Sequence, residues 1–167
     1  MRVLVTVLCL AGLVGCAGGG EATPAETAAA PARALIKVDA PEALEVPAPV
    51  VLTSDSDWEG KAHNKDIEII EVLNVINPVA AYITAGFDQY GERFSDVLNE
   101  EWDDTQVQLT AALTLYESCK ERRSAGSYDK QLFLDMEEVW QLLVKTGVAG
   151  VRTKTMIDSE VKRMTAT

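Results

Sequence analysis

The chain is short of histidine, cysteine and positive charge. Its 167 residues include one histidine (His63), three cysteines, and 15 Lys+Arg against 26 Asp+Glu, a formal charge of −11. One histidine excludes a di-iron bundle, which needs two Glu-x-x-His pairs. No C-x-x-C-H haem motif is present. The acidic balance repels phosphate backbones, so a nucleic-acid partner is excluded. The short basic run Lys120-Glu121-Arg122-Arg123 reads as cations at a helix C-terminus, where they complement the macrodipole. Proline is also unevenly spread: Pro24, Pro31, Pro41, Pro47 and Pro49 crowd the front, and only Pro78 lies beyond. Proline removes a backbone donor and clashes inside helices. The front is therefore barred from long helices, while the rest is free to form them.

What is present begins at the N-terminus. Met1-Arg2 precedes the apolar run VLVTVLCLAGLVG. With about 11 apolar residues it fits the h-region of a secretory signal and is too short for a span of roughly 20. It ends in Leu13-Val14-Gly15-Cys16, followed by AGGG. Those four residues resemble the lipobox of bacterial lipoprotein precursors at every position, and the resemblance covers residues 1–17. It implies a signal peptide over 1–15, cleavage between Gly15 and Cys16, and a diacylglyceryl thioether on Cys16. The new amino group then receives a further chain such as palmitate. One chain holds weakly, at about 0.8 kcal/mol per buried methylene, and two or three hold stably. Membrane lipid is thus the first expected partner. Ala17, in place of the aspartate that retains lipoproteins in the inner membrane, implies the outer membrane facing the periplasm in a Gram-negative cell. In a Gram-positive cell the same signal implies the outer face of the plasma membrane. Cys9 then leaves with the signal and Cys16 is consumed, so Cys119 has no partner for an internal disulfide. It is expected as a small buried hydrophobe.

Residues 16–34 are rich in Ala, Gly and Pro and carry no apolar periodicity, the composition of a disordered tether. Residues 35–56 differ. They place Leu35, Ile36, Val38, Leu44, Val46 and Val50-Val51-Leu52 among prolines. This is an extended apolar strip, too hydrophobic for a free linker, and it is expected to pack on the domain or under a partner. As a free coil, the roughly 40 residues from Cys16 average about 35 Å end to end; pulled straight they exceed about 100 Å.

From 57 to 167 the period becomes helical. Ile69, Ile70, Leu73, Ile76, Ala80, Ile83 and Phe87 form one stripe. Phe94, Val97, Leu98 and Trp102 form a second, and Leu109, Ala112, Leu113, Tyr116 and Cys119 a third. The cleanest is Leu132, Phe133, Met136, Val139, Trp140, Leu143 and Val144. A weaker segment follows over 148–164. Breaks are expected at Asn77-Pro78, at Gly86 and Gly91, in the acidic run 99–104, at Gly126 and at Gly147. Asp103 or Asp104 is a possible cap in that run, and Ser127 or Asp129 opens the next helix. The expected fold is all-α, a compact bundle of four or five helices behind an extended N-terminal tether. Glu68, Glu71 and Pro78 argue against a membrane span through the first stripe. No period of 30–45 residues marks a solenoid.

Reactive constellations are weak. Ser127-Tyr128-Asp129-Lys130 and Lys145-Thr146-Gly147 match S-x-x-K and K-T-G of the penicillin-recognising serine enzymes. One helix separates them here, which sets Lys145 roughly 22 Å from Lys130, too far to share a pocket. His63 with Glu59 and Asp66 shares a helix face, but a solvated first turn explains all three and no metal is assigned. Glu100, Glu101, Asp103 and Asp104, and Glu137 with Glu138, would serve a glycan hydrolase only as a pair from different elements. Trp58 and Trp102 stand at helix edges beside acidic residues and are candidate partner anchors. Trp140 is expected in the core. The sequence thus reads as a lipid-anchored envelope protein with a non-catalytic helical binding or adaptor domain. It needs no cofactor, and its partner is another envelope protein in an assembly, pilot or scaffold role, since helical bundles offer grooves for such partners. The alternative is an envelope hydrolase acting on peptidoglycan through a carboxylate pair.

Overall fold

The structure, a computed structural model, describes residues 36–166. The lipobox and the tether over 16–34 lie outside the described residues. The fold is all-α, with no strand among the described residues. Among the described residues it holds three long helices: α1 Trp58–Tyr90, α2 Asp96–Ser124 and α3 Lys130–Thr165. A single 3₁₀ turn, Gly91–Arg93, joins the first two.

The count is three, not four or five, because three expected breaks do not break. Pro78 lies inside α1 on its exposed side. Its cost of about 3 kcal/mol is outweighed by the burial of Ile76 and Ile83 on either side. The acidic run does not interrupt α2 or cap a new helix. Asp103 and Asp104 face solvent, while Leu98, Trp102 and Thr105 in the same turns are buried. Gly147 does not end α3. A β-carbon there would sit 3.2 Å from Ile76 Cγ1, so the glycine lets α3 approach α1 closely.

The true ends have ordinary causes. Asp57, Ser95 and Asp129 cap the three helices, each accepting a backbone N–H from the first turn: Gly60, Leu98 and Leu132 respectively. Hydrogen bonds from Thr53 and Gly60 hold the exposed Asp57 carboxyl below its usual range. α2 finishes on Arg122 and Arg123, and Gly126 takes φ +73°, a turn that glycine makes without a steric penalty.

α1 and α3 run parallel. The Trp58 ring meets Phe133 at one end, and Gly86 meets Ile157 at the other. α2 runs antiparallel to both, tied to α3 by Arg122–Asp135 and by Ser95–Glu160. Two apolar clusters result. One centres on Leu73, Met136 and Leu143 and contains the buried Cys119, whose thiol is pushed up in pKa by burial. The other joins Ile83, Leu98, Trp102 and Ile157.

Ahead of α1, residues 37–52 run back along it in extended conformation. The Asn64 side chain grips Val50 at both ends of its amide. Val50 N–H donates to Oδ1 and Nδ2 donates to Val50 O, each at 2.9 Å. Asn74 grips Leu44 in the same way, at 2.7 and 2.9 Å. Gln89 donates to Lys37 O at 3.1 Å, and a ring nitrogen of His63 lies 2.9 Å from Ala48 O. The spacings agree. From Asn64 to Gln89 is about 38 Å of helix; from Val50 to Lys37 is about 40 Å of polyproline II. Residues 37–52 make no backbone–backbone hydrogen bond among the described residues, so their amides are free for the side chains of α1.

The strip's apolar groups contribute less than its composition suggests. Ile36 is buried with Ile83 and Phe94, but Val38, Leu44, Val46, Val50 and Leu52 are exposed and Val51 is 91 % exposed. The attachment is chiefly polar. Replacing Asn64 and Asn74 together by alanine removes four hydrogen bonds, each contributing about 0.5–1.5 kcal/mol. Proteolysis within 37–52 is then expected to accelerate at least about tenfold, with the helical circular dichroism unchanged. Unaltered cutting rates would show that these amides do not hold the strip.

Candidate functional site: an apolar groove among the helices

The singled-out polar residues do not converge on one site. Glu101 pairs with Arg152 at 2.6 Å and Glu137 with Lys65 at 2.8 Å; Glu100, Asp103, Asp104 and Glu138 face solvent. His63 turns to the strip rather than to Glu59 and Asp66. Among the described residues, no group of three or more His, Cys, Asp or Glu is placed to hold a metal. Ser127 is exposed in the α2–α3 turn and Lys145 is exposed on α3. Trp58 is half-buried on Phe133, with the Lys61 ammonium 4.4 Å over its ring. Trp140, expected in the core, is half-buried beside it, with Lys65 5.1 Å over the ring. Trp102, expected at an edge, is 9 % exposed and stacks on Phe87 at 6.0 Å.

Asp66 forms a node that the sequence did not mark. Its Oδ1 accepts from Tyr116 Oη at 2.7 Å, and its Oδ2 lies 2.6 Å from Arg123. Burial, reinforced by Asp66, pushes the Tyr116 hydroxyl well above its usual pKa. Lys65 lies between Glu68 and Glu137. Burial pulls its pKa down, but the two carboxylates more than offset this and hold the ammonium above its ordinary value. Burial, with a hydrogen bond to Asp158, likewise pushes Tyr82 up to about 12. All three groups tie helices together, and none opens into a cleft.

One open space among the helices is apolar. A cavity of about 530 Å³ is lined from all three helices: Val72, Val75, Ile76, Val79 and Ile83 of α1, Trp102, Thr105 and Leu109 of α2, and Val144, Thr146, Gly147, Val148, Gly150 and Val151 of α3. Its cause lies in α3. The stretch Lys145-Thr146-Gly147-Val148-Ala149-Gly150-Val151 carries no leucine, isoleucine, methionine or aromatic side chain, so α3 does not fill the space between its neighbours there. The deep wall is buried, at Ile76, Ile83, Trp102 and Thr105; the mouth is open, with Val75, Val148 and Val151 exposed. Thr105 and Thr146 donate their hydroxyls to carbonyls one turn back, both at 2.8 Å. Their donors are therefore already engaged. Glu71 is the one charged residue in the lining. It stands exposed at one end of the α1 wall, with no ion pair among the described residues. By length and composition the segment Trp58–Arg93 is long and apolar enough to cross a membrane. In this fold part of that apolar surface lines the groove.

Comparison of the chain with protein-family models, curated proteins and solved structures finds no match. The groove's own chemistry therefore has to carry the functional reading. One sequence signal points to it: a helical stripe in which glycine, valine and threonine replace leucine over two turns.

Proposed function

We propose that the chain is a lipid-anchored envelope protein, held by acylated Cys16, whose helical domain acts by binding rather than by catalysis. Its station is the outer membrane facing the periplasm, or the outer face of the plasma membrane in a Gram-positive cell. Its role is that of an adaptor in assembly, piloting or scaffolding, with an envelope protein as partner. The observation that supports a binding role is the apolar groove: a concave site of about 530 Å³, within the roughly 300–1,000 Å³ of ligand pockets. The hydrolase alternative gains no such support, since Glu101 and Glu137 are each bound to a cation.

The test begins with the anchor. Cys16→Ser is expected to accumulate as uncleaved precursor without lipid, while the wild-type chain is recovered from membranes starting at acylated Cys16. An intact mass starting at Cys16 with no acyl addition would sink the anchored reading.

A further inference from the structure

The groove's dimensions and charge narrow its occupant. The lining is almost wholly apolar, and Glu71 is its one charged residue. A slender chain fits inside. The α1 wall from Glu71 to Ile83 measures about 18 Å. An extended alkyl chain advances about 1.3 Å per carbon, given a bond of about 1.5 Å, so the wall matches roughly 14 carbons. The engaged threonine hydroxyls ask nothing polar of that chain. Charge then selects the head group. Glu71 marks one end of the wall without an ion pair among the described residues, and the whole chain carries −11. A cationic head is attracted to that end and an anionic head repelled.

We propose that the groove binds the alkyl chain of an ammonium-headed amphiphile, the chain lying along Val75, Val79, Ile83 and Trp102 and the head at Glu71. The proposal rests on the binding role put forward above and names the ligand class.

The test uses the full chain carrying Cys16→Ser, which has no thiol to acylate. Dodecyltrimethylammonium and dodecyl sulfate are titrated by calorimetry below their micelle concentrations, with circular dichroism followed in parallel. The ammonium compound is expected to bind saturably at one per chain, about fivefold tighter than the sulfate, the scale of an exposed ion pair. Glu71→Lys is expected to reverse that order. Ala80→Phe fills the groove and is expected to abolish binding of both. Should Ala80→Phe fail to fold, Val148→Asp, at an exposed position on the mouth, is expected to weaken both about tenfold. Absence of saturable binding overturns the proposal. So does equal affinity for the two heads, an order that Glu71→Lys leaves unchanged, or binding that neither groove variant affects. A cationic amphipathic peptide that binds saturably while dodecyltrimethylammonium does not would assign the groove to a helix instead. None of these results touches the mass of the acylated N-terminus, so failure here and failure of the anchor are separately visible.

Discussion

Replacing Trp102 by alanine is expected to lower the unfolding free energy by about 3–5 kcal/mol. The indole is nearly buried, stacks on Phe87 of α1, and shares a cluster with Leu98 of α2 and Ile157 of α3. All three helices therefore lose contacts together. The void left behind would merge with the groove that Trp102 already lines. Thr105 and Gly150, which also line it, are too small to close it. Poor collapse puts the cost toward the upper part of the range. Urea unfolding followed by circular dichroism measures it, with the slope unchanged if only stability is altered. A loss below about 1 kcal/mol would mean that the ring is not an integral part of the core. Trp140→Ala makes the internal comparison. Its ring is only half-buried, so its cost is expected to fall below that of Trp102.

Asp66→Ala is expected to cost about 3 kcal/mol, because removing one partner of a buried ion pair strands the other. The side chains of Asp66 and Arg123 are 12 % and 20 % exposed. Arg123 Nε already lacks a hydrogen-bond partner. Without Asp66 the guanidinium loses its countercharge and Tyr116 Oη loses its acceptor. Tyr116→Phe removes only a neutral donor and is expected to cost about 1 kcal/mol. Denaturant unfolding of both variants checks the ordering. If Asp66→Ala costs no more than Tyr116→Phe, the ion pair is not what joins α1 to α2 at that end.

These two sites show what could and could not be read from the residues. The helical class was legible, because apolar residues recur at helical spacing on all three helices. Asp129 and Gly126 were legible as boundaries, since a capping carboxylate and a left-handed glycine act within one turn. The helix count was not. Pro78, the acidic run and Gly147 are local stop signals, and each is overridden by burial contributed from residues far away in sequence. The tryptophans exchange places for the same reason. Once α2 continues past Asp104, Trp102 lies inside a long helix, covered by α1 and α3. Asp66 was weighed beside His63 on one helix face, whereas its partners come from α2, 50 and 57 positions along the chain. The groove escaped notice because Gly147 read as punctuation.

The strip also has a mechanical consequence. It is clamped to α1 in the reverse direction, so the polypeptide ahead of Ile36 joins the domain where α1 ends, not where it begins. A force applied through that polypeptide meets the Ile36 contact first, then Gln89, then Asn74, then Asn64. The clamps are loaded in turn rather than in parallel. Past the buried Ile36 side chain, each clamp yields at the strength of one or two exposed hydrogen bonds, far below that of the helical core. Peeling releases about 40 Å of slack before any load reaches Trp58. A chain held at its N-terminus would thus lengthen its leash while the three helices stay folded.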